Sequence, residues 1–278
     1  SNDYPSTLLD RKACMDKYPN LNPDYCKGGI FFPEEISLNP SIMIHRVLDV
    51  LKQNPSFDYF PATTIRSLED KGTICLAEDH LGRKYRAEQA FVCSGTEFEC
   101  LFPEVFRESD LEVVKLQMLR LKPQPNLRIP GNILTGLSIR RYESFSECPS
   151  WNSVKSAEDP DSFWKKWGIH ILFKQENDGS IILGDSHEYA SIKKGERVDF
   201  FLREEISSYF IEAGKKIFQL EHWDIDRQWT GFYAQSRKED IFRKTIGGKI
   251  HIVTGIGGKG MTASPAYAKT SVDEVLFI

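Results

Sequence analysis

Glycines at 255, 257, 258 and 260 lie between a strand-like run, Lys249-Ile-His-Ile-Val-Thr254, and a helical run from Met261 onward. This spacing gathers backbone N–H groups at a helix start. The first amides of a helix have no intrahelical acceptor, and the helix dipole adds partial positive charge, so such a turn faces a ligand and favours negative charge. The glycines satisfy G-x-G-x-x-G, but only 18 residues follow Gly260, against the roughly 30 or more of a dinucleotide-binding βαβ unit. The reading is therefore a ligand-facing turn distinct from the usual dinucleotide fingerprint. A tight glycine turn with a solvent-facing Lys259 is the alternative.

Other chemistries find less support. Cysteines 14, 26, 75, 93, 100 and 148 form no C-x-x-C pair, and none of the six histidines stands near them at ligand spacing, so no metal site is expected. His170 and His251 alternate with apolar residues and read as hydrogen-bonded sheet histidines. Unpaired cysteines in a chain with a sizeable core point to a reducing, cytoplasmic setting. Lys and Arg (36) nearly balance Asp and Glu (40), which leaves no basic footprint for nucleic acid. No apolar run approaches the roughly 18 residues of a membrane span. Small-molecule chemistry is the expectation, with neither nucleic acid nor membrane as partner.

The elements that must position the glycine turn follow from periodicity. Residues 1–25 read as a linker carrying a short surface helix. Cys26-Lys-Gly-Gly-Ile-Phe-Phe-Pro33 is a turn feeding a short strand, and Asn39-Pro40 opens a helix predicted over Pro40–Gln53. Phe57–Leu68 reads as a strand, Thr73–Ala77 with Lys84–Ala87 as a hairpin, and Ala90–Gly95 as a buried strand ending in small residues. Strands are predicted at Val113–Leu121, Leu134–Tyr142, Gly168–Lys174 and Ser180–Gly184. A helix is predicted over Asp199–Phe218, its stripe formed by Phe200, Leu202, Ile206, Tyr209, Phe210 and Ile217.

Several of these segments, in order, resemble the FAD-dependent oxidoreductases of the D-amino-acid oxidase, glycine oxidase and sarcosine oxidase type. Gly28-Gly-Ile-Phe-Phe-Pro33 with Leu38-Asn-Pro40 resembles the family's Gly-Gly and V-D-P entry, and Ala90-Phe-Val-Cys-Ser-Gly95 its V-V-x-A-x-G strand. Ile252–Met261 resembles its C-terminal flavin motif. Leu116-Gln-Met118, Thr135–Tyr142, Trp229-Thr-Gly-Phe-Tyr233 and Thr254–Thr262 resemble the subgroup associated with aminophosphonate degradation. The family's opening G-x-G-x-x-G unit has no counterpart before Gly72, so the resemblance implies a chain lacking that unit and binding FAD weakly or not at all by itself.

The resemblance assigns roles. Thr64 and Ile65 match backbone positions near the adenine, Ser94 and Gly95 the strand end beside the pyrophosphate and ribitol. Gly255, Gly257, Gly258, Lys259, Gly260 and Met261 match the turn facing the flavin pyrimidine, where the dipole and Lys259 stabilise reduced flavin. Gln117, Tyr142, Trp229, Tyr233 and Thr262 match substrate-side positions, although Gln117 could equally satisfy a backbone neighbour. Gly231-Phe-Tyr-Ala234 stands where amino-acid oxidases carry a carboxylate-pairing Arg, which disfavours an α-amino-carboxylate. For an anionic aminophosphonate the candidate cations are Lys115, Arg140, Arg141 and Lys259.

The expected fold class is α+β, mixed α/β. Residues 26–100 and 246–278 form part of a Rossmann-like FAD-binding domain, and 101–245 an antiparallel-sheet substrate domain. The expected function is flavin-dependent oxidation of a C–N bond in a small amine or amino acid. The alternative is a non-catalytic binding or interaction domain that holds no flavin.

Overall fold

In the computed structural model, which describes residues 4–140 and 145–276, the chain alternates short strands and helices. In order these are β1 (Thr7–Asp10), α1 (Arg11–Lys17), β2 (Gly28–Phe31), α2 (Pro40–Leu51), β3 (Ile65–Asp70), β4 (Cys75–Asp79), β5 (Lys84–Ala87), β6 (Ala90–Val92), α3 (Pro103–Glu108), β7 (Leu111–Leu121) and β8 (Asn132–Leu134). Then follow α4 (Gly136–Ile139), α5 (Trp151–Ser156), α6 (Phe163–Lys166), β9 (Leu172–Gln175), β10 (Ile181–Gly184), β11 (Glu188–Ser191), α7 (Glu204–Ile217), β12 (Ile225–Ser236), β13 (Phe242–Ile246), β14 (Ile250–Thr254) and α8 (Gly260–Leu276). The fold is mixed α/β with mostly antiparallel sheets, as expected.

Two compact units result, one comprising Ser1–Asn39, Leu116–Glu188 and Phe200–Gly231, the other Pro40–Lys115, Tyr189–Asp199 and Phe232–Ile278. In the first, β10 pairs antiparallel with β9 on one side and with β7 on the other, Ile181 opposite Gln175 and Leu121. Leu119, Leu121, Phe173, Ile181 and Leu183 are fully buried in its core with Ile206 and Phe210 of α7. Burial of several such side chains, at about 1.5–3 kcal/mol each, is what holds α7 on the sheet. Gly214 interrupts the helical stripe for a packing reason: a Cβ there would lie 2.6 Å from the Trp223 ring. Helix α7 starts at Glu204, later than its apolar pattern suggests, so Phe200 and Leu202 lie outside it and are exposed.

Three further elements depart from the sequence expectation. The stretch expected as a linker helix contains β1, paired with β2, and its Cys14 is buried in the first unit's core. The strand expected over 134–142 ends at Leu134; Thr135 is extended and Gly136–Ile139 turns helical. The expectation for Tyr142 and Arg141 falls outside the described residues. The strand expected from Gly168 begins at Leu172, because Gly168 (φ 55°) turns the chain and His170 N–H bonds to Asp185 O.

In the second unit β3, β4 and β5 form an antiparallel sheet, while β13, β14 and β6 form another in which β14 and β6 run parallel, Ile250 opposite Ala90 and Ile252 opposite Val92. Both Ile250 and Ile252 are buried, with Val92, Phe98, Phe106 and Leu111. The residues expected as a strand over 57–68 enter the sheet only from Ile65. Helix α2 has Pro40 at its start and no buried residue among those described; Ile42, Ile44, Val50 and Leu51 are exposed.

Candidate functional site

Parallel neighbours present their carboxyl ends on the same side, the place where open α/β sheets bind ligands. Here β6 runs on to Ser94 and Gly95, and β14 to Thr254 and the glycine turn. The buried Thr254 donates its Oγ1–H to the carbonyl of Gly95 at 3.0 Å, tying the two strand ends together. The Ser94 hydroxyl donates to the Glu97 carbonyl (2.8 Å), and Gly95 takes a left-handed conformation (φ 64°) with open space where a side chain would stand.

The turn itself is held from beneath. Gly255 has φ 74°, and a Cβ there would come within 2.4 Å of Leu111 Cδ2, so both backbone conformation and packing require glycine. Its carbonyl accepts from Ser236 N–H at 2.8 Å, and Ile256 bridges Gln235. Ser236 is fixed in turn by Asp110, whose Oδ2 accepts from Ser236 Oγ (3.0 Å), Arg237 N (2.9 Å) and Lys238 N (2.8 Å). Gly257 to Lys259 form one 3₁₀ turn leading directly into α8, so consecutive amides gather at the start of a 17-residue helix. A Cβ at Gly258 would lie 3.7 Å from Tyr233 Oη, which puts the half-buried tyrosine beside the turn.

The other expected residues are distributed as follows. Lys259 is exposed and paired with Asp240, whose carboxyl it holds below the usual range. Met261 and Thr262 are exposed in the first turn of α8. Ile65 opens β3 and Thr64 immediately precedes it, its carbonyl accepting from His80 N at 2.9 Å. Gln117 and Trp229 lie in the first unit. Gln117 is buried and its side-chain amide is spent on α7: Nε2 donates to Arg203 O and Ser207 Oγ, both at 2.8 Å, and Oε1 accepts from Arg203 N at 2.8 Å. Trp229 is half-buried beneath the Arg227 guanidinium.

Each described cation considered for an anionic substrate has a carboxylate beside it. Lys115 is fully buried with Asp199 at 2.5 Å, and Arg140 lies 3.5 Å from Glu158. His251 is a bonded sheet residue, its Nε2 facing Gln89 Oε1 at 3.0 Å and its Nδ1 facing Thr245 Oγ1 at 3.1 Å; burial lowers its pKa. It lines a cavity of about 330 Å³ with Gln89, Gly248 and Ser271, at the opposite end of β14 from the glycine turn. Thr254, which joins the two strand ends, is the residue that sequence reasoning left without a role; its signal is a hydroxyl at the last strand position before the glycines.

The sequence matches the DAO family, described as FAD dependent oxidoreductase, over residues 1–274. No curated protein matches it. Among solved structures, glycine oxidase from Geobacillus kaustophilus is similar with a TM-score of 0.72 at 11% identity, covering 98% of this chain and 63% of that one. L-α-glycerophosphate oxidase from Mycoplasma pneumoniae with FAD bound gives 0.71 at 11% identity, covering 99% and 65%. L-proline dehydrogenase from P. horikoshii gives 0.70 at 15% identity, covering 99% and 65%. The chain therefore spans less than two thirds of the length of these structures, and the likeness is one of fold.

Proposed function

The chain belongs to the FAD-dependent oxidoreductase family, and on that premise we propose that it serves flavin-dependent oxidation of a C–N bond in a small amine or amino acid, giving an imine. The observation that carries this reading is the joined pair of parallel strand ends, Gly95 and Thr254–Gly260, opening onto the start of α8. The residues present fit the flavin portion of FAD. Gly95 leaves open space, Gly257 and Gly258 carry no side chain to obstruct a ring edge, and the α8 amides meet an electron-rich carbonyl edge.

FAD, when bound, supplies the acceptor for the hydride equivalent from the carbon bearing the amine. This chain's own share is binding and electrostatics. Gly255, Gly257, Gly258, Lys259, Gly260 and Met261 would hold the ring system, Ser94 and Gly95 would stand beside the pyrophosphate and ribitol, and Thr64 and Ile65 would take the adenine end. Negative charge gained on reduction would be stabilised by the α8 dipole and, once released from Asp240, by Lys259. Tyr233 and Thr262, on the glycine-turn side of the second unit, would orient the substrate and limit water. Binding the amine in its neutral form leaves the nitrogen lone pair to drive C–H cleavage, so no protein base is required.

The exposed apolar side of α2 supports the further reading that a dinucleotide-binding unit completes the flavin domain and supplies the pyrophosphate anchor. Aminophosphonates are the narrower substrate class, supported by the motif resemblance and by Tyr233 in place of the carboxylate-pairing Arg.

The test is flavin content and turnover. The longest natural product of the gene and the 278-residue chain are purified side by side, and the visible flavin bands per chain are recorded. The flavin-containing form is then mixed anaerobically with simple amines, α-amino acids and aminophosphonates. Bleaching of the flavin by an amine supports the reading, and bleaching by aminophosphonates alone supports the narrower one. Absence of flavin from both forms overturns it in favour of a non-catalytic binding module.

A further inference from the structure

We propose that His170, Asp185 and His187 form a site for one divalent transition-metal ion, with Zn²⁺ as the representative ligand. The three side chains each offer a donor atom, and these lie within 4.8 Å of one another. Both histidines are buried and Asp185 nearly so, all within the first compact unit.

The backbone sets this cluster up. His170 N–H donates to Asp185 O at 3.0 Å and His187 N–H to Trp167 O at 2.8 Å, so two short segments are pinned side by side before any side chain is considered. Gly168 allows the close approach: a Cβ there would lie 2.9 Å from both Cβ and O of His187. Ser186, between two of the three residues, is fixed to β7 through Gln117 N–H to Ser186 Oγ (3.1 Å) and Ser186 N–H to Gln117 O (3.2 Å). The donors are thus held on a scaffold that does not depend on the ion.

An outer hydrogen bond selects the metal-binding tautomer of His187, and Ser138 permits that of His170. His187 Nδ1 lies 3.0 Å from the carbonyl of Gly168, which only accepts, so Nδ1 carries the proton and the neutral ring keeps its lone pair on Nε2. That Nε2 faces Asp185 Oδ2 at 3.7 Å. His170 Nδ1 meets Ser138 Oγ at 3.0 Å, and Ser138 Oγ reaches Ile171 O at 3.5 Å. With the hydroxyl proton on Ile171 O, Nδ1–H donates to Oγ and the lone pair stays on His170 Nε2, which lies 2.7 Å from Asp185 Oδ1. The two rings stack 5.2 Å apart at 17°, and rotation of both toward Asp185 makes two imidazole nitrogens and one carboxylate a donor set for a cation. Ligands on a tetrahedral Zn²⁺ lie about 3.3 Å apart; the donor atoms here lie within 4.8 Å of one another, so the side chains close on an ion by up to about 1.5 Å.

Two imidazoles and a carboxylate suit Zn²⁺, Co²⁺ or Fe²⁺ in preference to Ca²⁺ or Mg²⁺, and three protein ligands leave a fourth position for water. The site is independent of the flavin reading. Its competitor is a plain His170 Nε2–H to Asp185 hydrogen bond, in which no ion takes part.

The full chain, freed of metal with a chelator and dialysed, is titrated with Zn²⁺ alone against a chromophoric competitor, and with Co²⁺ alone under visible spectroscopy. The expected result is one ion per chain, low-coordinate Co²⁺ bands, and loss of both in His170→Gln and in His187→Gln with unchanged far-ultraviolet dichroism. Ser138→Ala is expected to weaken binding about 10–100-fold. Should the histidine variants fail to fold, the ring ¹⁵N resonances of the unmodified protein decide: shifts at Nε2 of both residues on adding Zn²⁺ support the site. Absence of binding by the unmodified chain, unmoved ring resonances, or undiminished binding in both histidine variants overturns it.

Discussion

Thr254 Oγ1 and the carbonyl of Gly95 meet at 3.0 Å, 159 residues apart in sequence, and so close the two parallel strand ends into a single edge. Thr254→Val keeps the shape and removes the donor. The expected cost is about 1 kcal/mol in stability, read as an earlier denaturant midpoint, together with weaker FAD retention. Unchanged flavin affinity in a folded Thr254→Val protein would separate this edge from cofactor binding.

The glycines of the turn are not equivalent. Gly255→Ala must place a Cβ 2.4 Å from Leu111 Cδ2 at a left-handed φ, so it is expected to destabilise the second unit by about 2–4 kcal/mol. Gly258→Ala meets Tyr233 Oη only at ordinary contact distance, 3.7 Å, and is expected to leave the melting temperature nearly unchanged while weakening flavin binding. Thermal melts and flavin titration on the pair distinguish a structural from a ligand-facing glycine.

Gln117→Ala tests whether this residue acts on the helix or on substrate. Its loss strips three 2.8 Å hydrogen bonds from the start of α7. The expected penalty is about 1–3 kcal/mol, with faster amide exchange in the first turn of α7. A large fall in turnover with no change in stability would instead mark a direct substrate contact.

Cysteine reactivity reports on the core. Burial, with Cys26 beside it, pushes the Cys14 thiol up to about 11, so almost no thiolate exists at neutral pH. Iodoacetamide followed by peptide mapping is expected to label the exposed Cys93, Cys100 and Cys148 first and to reach Cys14, Cys26 and Cys75 only on unfolding. Early labelling of Cys14 would contradict the packing of the N-terminal residues in the first unit.

Asp79 gives the β3–β5 sheet an acid limit. Burial tends to raise its pKa, but the Arg83 side chain, the Arg83 and Leu81 amides and the Tyr85 hydroxyl outweigh it and hold the carboxyl well below the usual range. A depressed folded-state pKa contributes stability that is fully present above the unfolded value of about 4 and is lost as pH falls through the folded value. Protection factors of the β4 and β5 amides, exchange corrected for the intrinsic rate at each pH, are therefore expected to fall below about pH 4 in the wild type, and Asp79→Asn to remove that part of the pH dependence.

Much of the second unit's local structure was legible in the sequence. Glycine spacing after an apolar β-branched run marked the turn and the start of α8, Pro40 and Asn54-Pro55 bounded α2, and turn residues 79–82 marked the β4–β5 hairpin. These signals are local: they report what one segment's backbone and its own face require. Periodicity carries no information on which distant segment lies beside another. Only tertiary structure made β6 and β14 parallel neighbours, turned Gln117 into a clamp on α7, buried Cys14 with the first unit's sheet, and brought His170 to Asp185 and His187 across a turn. Those pairings are decided by register and by the burial of Ile250, Ile252, Phe173 and Leu183, quantities that belong to the packed chain as a whole.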